Sequence, residues 1–253
     1  MSGHSKWANI KHRKGRQDAK RGKIFTRIAK EITIAARDGG GDPDMNPRLR
    51  LAVQSGRAVN MPSDNISRAI KKGTGELAGV SYEELTYEGY APNGVAVILE
   101  CVTDNHVRTV AEIRAVFNRR GGNMGEANSV KWNFDRKGVF TINTAGKSED
   151  ELMEAVLEGG AEDLEYDEES SRIICAMNDF NIINQFLNDN KYDITEGKIE
   201  YIASNVTPVD NIDTARKVMN FIDAMEDVED VQNVFHNAEI PDEIMEQLSN
   251  EEN

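Results

Sequence analysis

The sequence contains little cysteine and no long apolar run. Its two cysteines, Cys101 and Cys175, each lie in an apolar segment, so we expect buried, reduced thiols and a cytosolic protein. Apolar stretches such as Gly94–Leu99 are far shorter than the roughly 20 residues that span a bilayer. The first residues also lack the apolar core that follows the charges of a secretory signal. We therefore predict a cytoplasmic protein with no membrane partner.

Motifs for nucleotide binding, metal binding and catalysis are missing as well. Gly73–Gly75 lacks the Gly-Lys-Ser/Thr ending of a phosphate-binding loop, and Gly121–Gly125 follows a predicted helix instead of preceding one. His4 and His12 have no cysteine or acid between them, which argues against a metal site. The polar cluster Asp104–Arg108 lies at a strand-to-helix junction, where helix capping explains it better than catalysis does. We predict a non-enzymatic protein with no metal and no cofactor.

Acidic residues are nearly missing from the first thirty positions, although the whole chain has a net charge of −14. Those positions hold ten Lys or Arg and one acid, Asp18. Residues 1–75 carry 17 basic and 6 acidic side chains, a net charge of +11, and the remaining residues sum to −25. A local excess of positive charge attracts polyanions, and nucleic acid is the commonest of these in the cell. The acidic remainder offers a surface for a basic protein partner.

Apolar periodicity and capping residues predict three helices in the basic part of the chain. The first covers Gln17–Arg37 and stops at three consecutive glycines. Asn46 and Pro47 suit the N-cap and the first position of the second helix. Pro62 precedes the third helix, which ends at Gly73. We expect these helices to form a small all-α domain.

After Gly75 the pattern changes to alternating strands and helices. A strand at Val95–Leu99, a helix at His106–Arg120 and a strand at Val130–Phe134 are predicted first. Six elements in the order βαββαβ follow, at Gly138–Asn143, Ser148–Glu158, Asp163–Tyr166, Arg172–Met177, Phe180–Asn188 and Ile199–Ser204. That order is typical of the split β-α-β (ferredoxin-like) sandwich, in which two helices cover one face of an antiparallel sheet.

The last predicted elements are a helix at Ile212–Met225 and a strand at Val231–His236, which cannot bury an apolar face alone. Segment 79–134 lacks a second helix and a final strand, so we expect the tail to dock there. The predicted fold class is α+β, with an N-terminal three-helix domain followed by two α/β domains of split β-α-β character. The predicted divisions are 1–78, a basic helical domain with an N-terminal arm; 79–135 plus 207–240, a discontinuous α/β domain; 136–206, an inserted domain; and 241–253, an acidic tail that frays.

Five cations of the first helix share one face. They follow spacings of 4, 3, 4 and 3 residues and are Arg16, Lys20, Lys23, Arg27 and Lys30. Like charges four residues apart repel each other, and only Glu31 adds an acid to the later part of this stripe. Because the helix supplies no internal counterion, we predict that the stripe contacts phosphates.

Ahead of this helix lies the segment Lys6–Gly15, which we call the basic arm. It has too little apolar periodicity to fold alone. Trp7 could stack on an exposed base or anchor the arm against the helices, and the sequence leaves both readings open. The predicted nucleic-acid-binding residues of arm and helix are Lys6, Trp7, Lys11, Arg13, Lys14, Arg16, Lys20, Lys23, Arg27 and Lys30. Further cations on the second and third helices are Arg48, Arg50, Arg57, Arg68, Lys71 and Lys72. Such residues suit phosphate contact better than base readout.

Four blocks resemble the YebC/PmpR family. They are Gly3–Lys14 (GHSKWANIKHRK), Arg57–Gly75 (RAVNMPSDNISRAIKKGTG), Tyr87–Gly94 (YEGYAPNG) and Lys131–Gly138 (KWNFDRKG). The resemblance implies a cytosolic bacterial regulator with a helical N-terminal domain and two α/β domains, and it offers no catalytic residues. Members are commonly described as DNA-binding transcriptional regulators. A mitochondrial relative is a translational activator, and some bacterial members look like ribosome-associated factors that relieve stalling on proline-rich stretches.

Two functions follow for the basic domain. The first is transcriptional regulation through binding to DNA, and the second is a role as a translation factor that binds ribosomal RNA. Both DNA and RNA present phosphates to the cations. An arm carrying Trp7 without a convincing recognition helix suits irregular RNA better than a major groove. An enzyme that uses Asp104–Arg108 is the third, least favoured alternative.

Overall fold

The computed structural model describes residues 17–79 and 81–251. Its helical domain comprises α1 (Gln17–Gly39), α2 (Pro47–Ala58) and α3 (Ser63–Gly73). Asn46 caps α2, because its side-chain oxygen accepts a hydrogen bond from the Leu49 N–H at 3.0 Å. The same side chain donates to the carbonyl oxygens of Ala35 and Gly40 at the end of α1. One residue therefore both starts α2 and closes the turn before it.

The apolar faces of the three helices meet in a shared core. Its buried members include Ile32, Leu49, Val53 and Ile66. Helices α1 and α3 approach closely at Gly73, where a Cβ atom would lie 2.3 Å from the Thr33 carbonyl oxygen. The three-helix prediction is confirmed, with the helix ends displaced by at most two residues.

The second domain is a four-stranded sheet in the order β3-β1-β2-β9. Its elements are β1 (Glu83–Tyr90), β2 (Ala96–Thr103), α4 (His106–Arg120), β3 (Asn123–Met124), α7 (Ile212–Glu226) and β9 (Val231–His236). Strand β9 pairs antiparallel with β2, although the two are more than 120 residues apart in the chain. Helices α4 and α7 bury Val97, Leu99 and Cys101 of β2, and Phe117 and Phe221 meet between the helices at 5.2 Å.

The third domain lies between these two parts of the chain. It contains β4 (Phe134–Asn143), α5 (Glu149–Glu158), β5 (Asp163–Glu165), β6 (Ser170–Ala176), α6 (Phe180–Asp189) and β7 (Ile194–Ala203). The sheet order β5-β6-β4-β7 is that of the split β-α-β sandwich. Both helices pack on one face, where Phe140 stacks on Phe180 with ring centroids 4.4 Å apart. The α+β fold class is confirmed.

Two predictions about local structure are wrong. Val130–Phe134 is not a strand, because Lys131–Asn133 forms a 3₁₀ turn and β4 begins only at Phe134. The acidic tail does not fray over its whole length, because Asp242–Glu251 forms helix α8 and Met245 is buried in the second-domain core. A short parallel pair of β8 (Thr207–Pro208) and β10 (Ala238–Glu239) precedes that helix.

The third domain contacts each of the other two domains. Phe134 and Tyr201 of the third domain join Ile98 and Phe235 on the second-domain sheet in one buried cluster. Helix α2 contacts β7, where the methyl group of Leu51 lies beside Gly197. The three domains therefore form one connected body, and the position of the helical domain is set by specific contacts.

Both cysteines are buried and free of disulfide bonds, as the sequence predicts. Burial raises the pKa of Cys101 to about 12 and that of Cys175 to about 11, so neither thiol is a reactive thiolate at neutral pH. Among the residues that the structure describes, every helix is too short or too polar to cross a membrane.

Candidate nucleic-acid interface

Most of the predicted nucleic-acid-binding residues precede the described part of the chain. Those outside it are Lys6, Trp7, Lys11, Arg13, Lys14 and Arg16. Lys20 lies in α1, but its side chain also falls outside the described set. For these residues a role in nucleic-acid binding stays a prediction. The structure places three members of the α1 stripe, namely Lys23, Arg27 and Lys30.

Lys30 is buried and fully engaged by protein acceptors. Its side chain is 6% exposed, and its Nζ lies 2.8 Å from Oδ1 of Asp230, which is 1% exposed. The same ammonium donates to the carbonyl oxygens of Val102 at 3.1 Å and Glu229 at 3.3 Å. Lys30 therefore cannot reach a phosphate unless the interface between the helical domain and the second domain opens. The expectation that Lys30 faces an external ligand is corrected for this conformation.

Lys23 and Arg27 face the same part of the second domain. The Nζ of Lys23 lies 2.7 Å from Oδ1 of Asp227, and Arg27 donates to the carbonyl oxygen of Glu226. These acceptors lie at the C-terminal end of α7, where the helix dipole also favours positive charge. We call residues 226–230, which contain four acids, the acidic turn. The argument that the stripe has no internal counterion is thus wrong, because the counterions come from the acidic turn.

The Lys23–Asp227 pair differs from the Lys30–Asp230 pair in exposure. Its two side chains are 49% and 74% exposed, and an exposed pair contributes at most about 1 kcal/mol. A phosphate can replace Asp227 at Lys23 at little cost. The buried pair with Lys30 instead holds the helical domain against the second domain.

Asp230 lies at the centre of a polar network. Its Oδ2 accepts hydrogen bonds from Thr103, Thr109 and Arg108 at 3.1, 2.8 and 2.8 Å. Burial alone would raise the pKa of Asp230, but the hydrogen bonds from Lys30, Arg108 and Thr109 outweigh it and hold the pKa at about 2. The carboxylate is therefore ionised at every physiological pH.

The cluster Asp104–Arg108 is explained by this network and by helix capping. Asn105 is the N-cap of α4, since its Oδ1 accepts the Arg108 N–H at 3.1 Å. The Arg108 guanidinium bridges Asp104 and Asp230. The capping prediction is confirmed, and the side chains proposed as catalytic alternatives serve as structural partners.

We predict that acid weakens the fold through Asp230. Its pKa rises from about 2 in the folded chain to about 3.9 in the unfolded one. A carboxyl group with a depressed pKa stabilises the fold fully above the unfolded value, and that stability is lost as the pH falls from about 4 towards 2. Urea unfolding measured between pH 5 and pH 2.5 should show this loss, and Asp230→Asn should show a flatter profile. Equal slopes for the two proteins would contradict the assignment.

Three further cations of the helical domain form ion pairs or hydrogen bonds within the protein. Arg48 pairs with Glu31 and Glu84, and Arg37 pairs with Asp38. Arg50 donates to two carbonyl oxygens of the loop before α2. These residues fasten the helices to each other and to β1, so they are not available to a ligand in this conformation.

Four cations remain exposed, and none forms an ion pair within the described residues. They are Arg57 on α2 and Arg68, Lys71 and Lys72 on α3, and we call them the α2–α3 cations. They belong to the further cations of the second and third helices, whereas the predicted nucleic-acid-binding residues lie in the basic arm and the α1 stripe. The spacing of Arg68 and Lys72 places them on the same side of α3, one turn apart.

Helix α3 separates two open grooves. The first, of about 350 Å³, has an apolar floor that includes Val53 and Ile66 and is also lined by Arg57 and Lys71. The second, of about 260 Å³, lies between α1 and α3 and is lined by Asn65, Arg68 and Lys72 together with Phe25 and Tyr82. Each groove therefore has two of the α2–α3 cations.

Comparisons with known proteins cover nearly the whole chain. The family model described as TACO1/YebC protein N-terminal domain matches residues 5–76, and the model of the TACO1/YebC second and third domain matches residues 82–238. A relative from Maridesulfovibrio salexigens is 51% identical over 98% of this chain and 99% of its own. One from Halothermothrix orenii is 50% identical over 99% and 100%. Both are named "Probable transcriptional regulatory protein".

A solved structure also matches. The crystal structure of a conserved hypothetical protein from Aquifex aeolicus is 42% identical, with a TM-score of 0.85 over 90% of this chain and 94% of that one. The arrangement of a helical domain and two α/β domains is therefore shared with a protein observed by crystallography.

Proposed function

The chain belongs to the TACO1/YebC family and is a regulator of gene expression, and we propose that it acts by binding nucleic acid through its helical domain. In this proposal the α2–α3 cations and the basic arm contact phosphates, whereas Lys30 and Arg27 hold the domain in place. The observation that carries the proposal is the set of exposed cations without ion pairs beside two open grooves.

Charge separation supports this assignment. Residues 1–75 carry a net charge of +11, and the rest of the chain carries −25. A nucleic acid is attracted to residues 1–75 and repelled by the net charge of the remaining chain, so the helical domain is the main surface that faces it. The acidic turn strengthens this division, because it neutralises cations at the domain interface, whereas the α2–α3 cations have no ion pair among the described residues.

Double-stranded DNA is the first ligand that we propose, because curated relatives are named as transcriptional regulators. Phosphate contacts from Arg57, Arg68, Lys71 and Lys72 would position the duplex without reading its sequence. Helices α2 and α3 are joined by a short link, and Asn65 and Arg68 on α3 are the side chains best suited to reading base edges.

Structured RNA, such as ribosomal RNA, is the second candidate. Helix α3 exposes few side chains that could read bases, whereas its cations suit any phosphate backbone. Recognition of irregular RNA depends on shape, phosphates and unpaired bases more than on a helix in a groove. A translation factor would therefore use the same surface of the helical domain.

Competition binding and sedimentation separate the two ligands. A sequence-specific regulator should prefer one duplex over random DNA by about 10³ or more at physiological salt. A translation factor should sediment with ribosomes after DNase treatment and should lose this association when the α2–α3 cations are replaced by glutamine. A protein that binds neither DNA nor RNA above the level of its isolated acidic domains would contradict the proposal.

A further inference from the structure

Trp132 is a large aromatic side chain that lies open to solvent. It is 73% exposed, although tryptophan is usually among the more buried residues of a protein. It lies in the 3₁₀ turn Lys131–Asn133, which directly precedes β4, the first strand of the third domain. Its own domain core does not require it, because β4 contributes Phe134 and Phe140 to the buried clusters instead.

The turn that carries Trp132 is rigid. The buried carboxylate of Glu88 accepts three backbone N–H groups of the turn, from Asn128 at 2.8 Å and from Val130 and Lys131 at 2.9 Å each. The indole Nε1–H of Trp132 donates to the Ser129 carbonyl oxygen at 3.0 Å. The ring is therefore held in one orientation with its surface presented to solvent.

Two cations close to Trp132 in the chain gather on the ring of Tyr201. Lys131 Nζ and Arg136 Cζ lie 5.9 and 5.6 Å from the centre of the Tyr201 ring. Neither forms an ion pair with any residue that the structure describes, and the adjacent Asp135 accepts a hydrogen bond from Ser204. Glu100 attracts Arg136 only at longer range. Two like charges gathered on one ring, in the same segment of chain as an exposed indole, offer a site to an external anion that also has a flat apolar face.

We propose that Trp132 stacks on an unpaired nucleobase while Lys131 and Arg136 contact the phosphates next to it. The inference rests on the proposed function and deepens it, because it assigns a second contact outside the helical domain and a class of ligand. Single-stranded nucleic acid combines a flat π-face with regularly spaced negative charge, which matches an exposed aromatic side chain in a segment that also carries cations. A fully paired duplex hides its base faces and should not use this site.

The test compares a short fluorescent uridine oligonucleotide with a fully paired RNA duplex of the same length, using the full-length protein. Loss of one base–aromatic stack lowers affinity by roughly 5- to 150-fold. We expect Trp132→Ala to weaken binding of the single strand by about tenfold and binding of the duplex by less than about twofold. Trp132→Phe, which keeps a ring, should retain most of the affinity. Lys131→Gln with Arg136→Gln should weaken the single strand and reduce the salt dependence of its binding.

A cross-linking experiment detects the contact between Trp132 and a base directly. An oligonucleotide carrying 5-iodouracil should form a photoproduct with the peptide that contains Trp132, and the Trp132→Ala protein should lose that product. The inference is overturned if Trp132→Ala changes the affinities for both probes equally or leaves both unchanged while wild type binds them. In those cases the proposed function stands. If wild type binds neither the oligonucleotide nor any duplex, the proposed function fails as well.

Discussion

Replacing Asp230 by alanine is expected to lower the free energy of unfolding by about 3–5 kcal/mol, the range found when one partner of a buried ion pair is removed. The Lys30 ammonium, 6% exposed, would then keep its charge with only carbonyl oxygens as partners. Thr103 and Thr109 would lose an acceptor at the same time. Guanidinium unfolding, followed by circular dichroism of the full-length protein, measures the change.

Asp227→Ala is the matched control, because it removes an acid that pairs with the same helix at an exposed position. Its effect should stay below about 1 kcal/mol. The double variant Lys30→Met with Asp230→Leu should recover only the part of the loss that comes from the unpaired Lys30, since an apolar pair can replace a buried ion pair but not the acceptor of Thr103 and Thr109. Equal effects of Asp230→Ala and Asp227→Ala would show that the buried contact does not hold the helical domain.

Replacing Arg57, Arg68, Lys71 and Lys72 by glutamine is expected to weaken binding to nucleic acid by roughly 4,000-fold at 0.1 M salt. Each phosphate contact with duplex DNA releases about 0.9 counterion, and at this salt concentration each contributes close to one decade of affinity. The four side chains are exposed and make no ion pair within the described residues, so their removal should leave the fold intact. Fluorescence anisotropy with a labelled duplex gives the affinity.

The control variant changes the same amount of charge at a different place. Arg114, Arg119 and Arg120 on α4 and Lys217 on α7 are also exposed cations, and their replacement by glutamine gives an equal change in net charge. We expect this variant to bind within about threefold of wild type, because long-range electrostatics alone are screened beyond roughly 10 Å at this ionic strength. An equal loss in both variants would point to non-specific attraction instead of a site.

Local signals in the sequence predicted the helices well in both the helical domain and the second domain. Asn46 with Pro47 specified the start of α2, and the helix His106–Arg120 matches the structure because its N-cap and its terminal glycine are adjacent to it in the chain. Such features depend on hydrogen bonds over three or four residues, so a single sequence contains the required information.

The counterions of the α1 stripe could not be found in the same way. Lys23 and Lys30 pair with acids about 200 residues later in the chain, and no local pattern encodes that contact. The stripe looked self-repelling because only neighbours along the helix could be counted. The signal that was available is the run of acids in the acidic turn, which lies directly after a predicted helix.

Trp132 was missed because its surroundings resemble a strand. Val130 and Phe134 are both buried, and the sequence predicts a strand across Val130–Phe134. The tryptophan instead lies between Lys131 and Asn133 in a turn that depends on the distant carboxylate of Glu88. Only the three-dimensional arrangement shows that this side chain is exposed.

The central claim is that the α2–α3 cations, and not the α1 stripe as a whole, meet the phosphate backbone. The most direct test is the slope of log K against log[KCl] for duplex binding by wild type, the α2–α3 variant and the control variant. The account predicts that the slope becomes shallower by about 3.6 in the α2–α3 variant, at 0.9 for each of the four lost contacts, and stays unchanged in the control. An unchanged slope in the α2–α3 variant would contradict it.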